Sequence, residues 1–254
     1  MSGRIAFLTQ SIIPAESFLL EHPLAALFTG VLFEKDDVPL RGLTLPDIGE
    51  APLLLTPAQV GRLFMAPDES VVTFRHLGEH EDGTPAGFSV SSDSPFMQEG
   101  QPLEIVVYQA PNGNAMRLNN LRVRRVMLNH AAPDRFCTVA FGLMAVNAYR
   151  FNFREITLFA AGRAPLNGRD ADEYTGFAIW PKFGFDAPLL PVDLQKAPAL
   201  QNCRSVQDVM KADPAWWEAH GSAREMTFDL RPNSRSWRIL LNYLFNVLED
   251  WCHD

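Results

Sequence analysis

Arg122 and Arg124 are two residues apart, so they share a face if their segment is extended, and Arg117, Arg125 and Arg135 lie nearby in sequence. In a chain with a formal net charge of −8, such a cluster is a local receptor for phosphate groups, which guanidinium binds through paired hydrogen bonds. A solvated, salt-bridged strand face explains the same residues equally simply. His130 follows closely, and a near-neutral imidazole suits the removal of a proton from an amine. Glu104, on an earlier apolar run, is the carboxylate alternative, and a turn-stabilising or exposed histidine is the plain reading of His130. Cys137 stands beside an expected helix start, where a thiol pKa can fall, but no histidine partner marks it as a nucleophile.

Other groupings carry less chemistry. His76 and His80, with Glu79, Glu81 and Asp82, have metal-ligand residue types, yet Gly78 and Gly83 set them in a turn rather than on one helical face. A solvated charged loop is expected there, and no metal. Trp216-Trp217 reads as core packing rather than a ligand platform. Cys137, Cys203 and Cys252 form neither a zinc pattern nor a disulfide framework. There is no phosphate-binding P-loop, no dinucleotide fingerprint and no serine elbow.

These residues need elements to position them. Thr56-Pro57 pairs a hydroxyl N-cap with proline at the first helical position and predicts a short helix through about Phe64. Ser70 to His76, Leu103 to Tyr108 and Met116 to Leu128 read as strands, the last two joined by the turn residues Pro111-Asn112-Gly113-Asn114. Thr138 to Tyr149 is apolar almost all round, the pattern of a buried helix, and Gly142 would let it approach a sheet closely. Glu155 to Ala160 is a short strand, so strand, helix and strand suggest a crossover. Leu24 to Phe33 fits either a strand or a buried helix, and the proline-punctuated first 65 residues read as irregular. Ser205 to Met210 reads as helical and Met226 to Leu230 as an edge strand. Trp237, Leu240, Leu241, Leu244, Val247, Leu248 and Trp251 recur at helical spacing, with Asn233 or Ser234 as the cap.

Composition sets outer bounds. With 254 residues, 47% hydrophobic and 20% charged, the chain can bury about three quarters of its unfolded surface and needs no staple. The acidic balance argues against broad nucleic-acid binding. No apolar run approaches the ~20 residues that span a bilayer, and the opening residues lack a basic segment before an apolar one. A cytoplasmic protein without a membrane partner is expected, with export by a signal-independent route left open.

The stretch Leu121 to Phe185 resembles the acyl-CoA-binding half of GNAT N-acyltransferases. In that family a strand leads into a turn that opens a helix, and helix N-terminal N–H groups hold the pyrophosphate of CoA. Here Leu121 to Asn129 matches the strand, His130 to Cys137 the turn, and Thr138 onward the helix. Ile179-Trp180-Pro181-Lys182-Phe183-Gly184-Phe185 is similar to the family's aromatic-x-Lys-x-Gly-Phe ending. The turn Arg135-Phe136-Cys137-Thr138-Val139-Ala140 keeps Arg and Ala but has no glycine before Gly142. Trp180 replaces the tyrosine that often protonates the departing thiolate, and Tyr174 is the nearest substitute. The Trp-Pro-Lys-x-Gly-Phe-Asp form and the tail also look like a divergent GNAT-like group of phage-derived and polymorphic-toxin proteins.

The resemblance implies an α/β (α+β) fold, with a central mixed, mostly antiparallel sheet flanked by helices. It implies a GNAT-like domain over 1–190 and an appended C-terminal helical segment, 191–254, packed on it. It also implies an N-acyltransferase acting on an amine-bearing small molecule or protein, with acetyl-CoA or another acyl-CoA as co-substrate. Leu128, Asn129, Arg135, Cys137, Thr138, Val139, Ala140, Arg122 and Arg124 would hold that co-substrate, and His130, Glu104 and Tyr174 would carry catalysis. A catalytically silent interaction module, in a phage, secretion or toxin-related setting, and a GNAT-like toxin are the alternatives.

Overall fold

The computed structural model describes residues 2–45, 52–77, 86–108, 120–164, 174–196 and 200–249. The chain opens with helical segments: α1 (Ser2–Phe7), a wide π turn (Leu8–Ile12) and α2 (Ile13–Glu21). A 3-10 helix, Pro23–Phe28, follows. Strands β1 (Leu43–Leu45) and β2 (Leu53–Leu55) pair antiparallel by themselves. Helix α3 (Pro57–Leu63) begins as expected, because Thr56 and Gln59 cap each other's backbone N–H reciprocally.

Four antiparallel strands come next: β3 (Val71–Leu77), β4 (Gly87–Asp93), β5 (Leu103–Tyr108) and β6 (Asn120–Arg125). Then come α4 (Phe136–Arg150), β7 (Glu155–Arg163), α5 (Gly176–Ile179), α6 (Pro191–Lys196), α7 (Val206–Ala212), α8 (Pro214–His220), β8 (Ser222–Asp229) and α9 (Arg235–Leu248). The main sheet runs β3-β4-β5-β6-β7-β8. The expected α+β class with a mostly antiparallel, helix-flanked sheet is what forms. No helix among the described residues is long and apolar enough to cross a membrane.

The chain divides into two compact units, one of residues 1–156, 230–232 and 244–254, the other of 157–229 and 233–243. In the first, period-two alternation gives β3 to β6 an apolar face and a polar one. Val90, Ile105 and Val123 stand in register on the apolar face. Ser89, Val106 and Arg122 stand in register on the other, and all three are buried. Helix α4 is buried at every position except Cys137 and Arg150, as an all-round apolar helix must be. Gly142 serves a helix contact rather than a sheet contact: a Cβ there would meet Leu19 Cδ1 of α2 at 2.9 Å and Leu244 Cδ1 of α9 at 3.3 Å.

The second unit is an aromatic core. Trp217, Phe177, Phe183, Phe185, Phe228 and Trp237 are fully buried. Trp217 Nε1 donates to the Phe177 carbonyl at 2.8 Å, and the buried pair Arg224–Asp193 (2.9 Å) ties β8 to α6. Ser234 Oγ accepts from Trp237 N–H at 3.3 Å, so serine is the cap that α9 uses.

Candidate functional site

The candidate site is built on the end of β6. Glu104 pairs with Arg125 and Ile105 with Val123, so Arg124 is an extra residue, a β-bulge. A bulge bends its strand and interrupts the ladder, and such features cluster beside active sites. Past it, residues 127–129 zip onto 96–98 rather than following β5. Gln98 N–H donates to Met127 O and Asn129 N–H to Phe96 O, both at 2.9 Å, around an antiparallel Met97–Leu128 bridge. The Asn129 side-chain amide adds bonds to the carbonyls of Pro95 and Met97, both 2.8 Å. In a bridge of this kind the central residue's own N–H points away from its partner strand. Leu128 N–H therefore faces away from residues 96–98 and meets no acceptor among the described residues. Of the two expected backbone contacts, Leu128 is presented and Asn129 is a clamp.

The turn from His130 leads to α4 through Arg135, which adopts the left-handed conformation (φ 66°, ψ 5°). This is the backbone state glycine takes cheaply, so arginine bears here the strain of a glycine the turn lacks. Phe136 N–H donates to Pro133 O and Val139 N–H to Arg135 O, both at 3.1 Å. Phe136 is held between the rings of Phe28 and Phe96, at centroid distances of 5.7 and 5.4 Å. No side chain caps the helix, which leaves Cys137 and Thr138 as the first-turn N–H donors available to an anion. Of the expected co-substrate contacts on this helix, Thr138, Val139 and Ala140 are buried and Cys137 is partly exposed.

Two residues at this end behave differently from what sequence suggests. Part of Cys137 reaches solvent, but its thiol is enclosed, and burial pushes its pKa up to about 12. A thiol in that state is no nucleophile at neutral pH. His22 is buried near Arg135, with its Nδ1 accepting from Leu24 N–H at 3.2 Å. Burial chiefly, and the Arg135 charge secondarily, lower its pKa. Nothing in the sequence marks His22 as part of this region. The nearest signal is its position before Pro23, an N-cap pattern.

Glu104 is buried and shared among strands. Its Oε1 accepts from Ser89 Oγ (2.8 Å) and Arg75 Nη2 (3.0 Å), and its Oε2 from Arg124 Nη1 (2.9 Å). Burial, the largest single influence, pushes its pKa up. The Ser89 and Arg75 hydrogen bonds and the Arg124 charge together outweigh that and hold the carboxyl below the usual range. Such a group is a poor proton acceptor and a strong anchor. Arg122 is buried too, beside Asn120, whose amide donates to Glu155 Oε1 at 2.7 Å.

His130 lies exposed in the turn after the zipped segment. Tyr174 belongs to the second unit and is 55% exposed. The Trp180 to Phe185 motif is a packing corner: Trp180 meets Phe183 and Phe185 edge-on, and Gln207 Nε2 donates to the carbonyls of Pro181 (2.6 Å) and Phe185 (2.7 Å). Gln207 was not legible as its partner, being an ordinary polar residue on a short helix. Arg117 and the 79–82 acidic–histidine loop lie outside the described residues, and His76 on β3 packs edge-on to Phe88. Among the described residues no cluster suits a metal.

No family model matches the chain, and neither a curated protein nor a solved structure does. The functional reading therefore rests on the site itself.

Proposed function

We propose that the chain is an acyl-CoA-dependent N-acyltransferase of GNAT type, acting on an amine of a small molecule or a protein. One observation carries the reading. A bulged strand ends in an outward-facing N–H at Leu128, and the turn that follows opens an uncapped helix with N–H donors at Cys137 and Thr138. Acyl-CoA has the two features this order of donors matches, a pyrophosphate and a carbonyl, and it supplies the activated acyl group as a thioester.

The chain's residues then act by holding and polarising. Cys137 and Thr138 N–H groups, with the exposed Arg135 beside them, bind the phosphate charge at the positive end of α4. Leu128 N–H polarises the thioester carbonyl, and positioning the amine against it supplies most of the rate. Exposed His130 takes the proton the ammonium must lose, and the CoA thiolate departs to solvent. Glu104 anchors the strand rather than moving protons, and its largely buried pairing with Arg124 favours a second reading, a binding module that keeps the fold without the chemistry.

Thermal unfolding with and without acetyl-CoA tests the proposal. At a hundredfold excess over Kd, binding should stabilise the fold by about 2.7 kcal/mol and raise Tm by several degrees. Arg135→Ala should weaken that rise. No shift at millimolar acetyl-CoA would contradict the reading. A shift without acyl transfer to any tested amine would select the binding module.

A further inference from the structure

We propose that Thr29, Gly30 and Val31 form an anion receptor whose tethered ligand is the Asp68 carboxylate, so that a free small carboxylate can take that side chain's place. Thr29 is right-handed (φ −85°, ψ −17°) and Gly30 is left-handed (φ 100°). Two successive residues in those conformations turn their backbone N–H groups into one concavity, a nest, which suits an anion. Here three consecutive N–H groups converge on one carboxylate. Thr29 N–H donates to Asp68 Oδ2 at 3.2 Å, and the Thr29 hydroxyl donates to the same oxygen. Gly30 and Val31 N–H donate to Oδ1 at 2.8 and 3.0 Å.

The concavity is held by contacts that do not involve the carboxylate. Gly30 lies against the start of α3, where a Cβ would stand 2.4 Å from Ala58 N and 2.8 Å from Pro57 C, so only glycine fits. Phe28 O, just before the nest, accepts from Arg62 Nε at 3.3 Å. Asp68 N–H donates to Leu27 O and Glu69 N–H to Val31 O, both at 2.6 Å, and these backbone bonds need no side chain at 68. The strain sits on the other partner. Met65 (φ 52°) and Glu69 (φ 66°), on either side of Asp68, are left-handed without being glycine. The segment carrying the ligand is thus the one bent to fit. The receptor is also open to water, since Thr29 is exposed and Val31 is 52% exposed. Removing the carboxylate leaves converging donors at a reachable surface, and their ligand class is a small monoanion with two coplanar oxygens, such as formate.

This receptor is independent of the acyl-CoA reading, and its test uses no CoA. Urea unfolding of the full chain is followed in sodium formate and in sodium chloride at matched ionic strength, for wild type, Asp68→Ala and Asp68→Asn. Losing hydrogen bonds to a charged group should raise the unfolding constant of Asp68→Ala by at least about tenfold in chloride. Formate should reverse part of that loss saturably, because a ligand of the native state stabilises it by mass action. Asp68→Asn fills the same space with an amide, so formate should act on it no more than chloride does, and the same holds for wild type, whose nest is full. If Asp68→Ala does not fold in chloride, its refolding yield in formate against chloride is the same test. Amide shifts of Gly30 and Val31 in Asp68→Ala on adding formate place the anion. Recovery no greater in formate than in chloride would overturn the proposal. Equal stabilisation of all three proteins by formate would overturn it too, as would formate shifts that leave those two amides unmoved.

Discussion

Cys137 and Glu104 are opposite uses of burial within one unit. The thiol has no compensating charge, so enclosure alone raises its pKa to about 12, whereas Glu104 is compensated by Ser89, Arg75 and Arg124 and stays ionised. The sign for Cys137 follows from linkage. Its folded pKa lies above the reference value of 9.0, so its contribution to stability is complete below pH 9.0 and is lost as pH rises toward about 12. Urea unfolding of wild type and Cys137→Ala at pH 8 and pH 10.5 should show a smaller alkaline loss in the variant. A cysteine with a lowered pKa would instead give the variant the larger alkaline loss in that window. The sequence places Cys137 at a helix start, where a depressed pKa is a fair expectation, because residue spacing does not report which way the sulfur packs.

Elements were legible where local chemistry decides them. The Thr56 cap of α3, the β5 pattern, α4 and α9 form close to where periodicity and capping place them. The misses share a physical cause. Strand β4 carries Ser89 and Ser92 at buried positions, and Ser89 is there to serve a carboxylate on another strand, which no local pattern encodes. The N-terminal helical stretch is interrupted by a π turn and Pro14, which breaks the apolar period. The Trp180 to Phe185 corner shows how an element depends on distant support. Gln207→Leu removes the donor to two carbonyls and should cost about 1–3 kcal/mol for each group left unpaired. Gly184→Ala should be worse, since φ is +94° and the added Cβ would stand 2.5 Å from Ser236 O. Chemical denaturation reports both, and a near-neutral Gly184→Ala would mean the corner is not packed as described.

At the scale of the whole molecule, the α+β class and the mostly antiparallel sheet were readable because strand alternation and the helix patterns are strong. Residues 222–229 form a strand that stands next to β7 in the strand order. Of the candidate site, the order of strand, turn and helix was legible, while the bulge, the 96–98 seat and the left-handed Arg135 were not. Each depends on pairing between segments far apart in sequence. The central claim is that Leu128, Cys137 and Thr138 present their N–H groups to one acyl-CoA. An amide-resolved NMR titration of the 15N-labelled protein with acetyl-CoA tests this most directly. The account predicts saturable shifts at Leu128, Cys137 and Thr138, with smaller changes at Asn129, whose N–H is already bonded to Phe96 O. Absence of saturable shifts, or shifts that leave these three amides untouched, would contradict it.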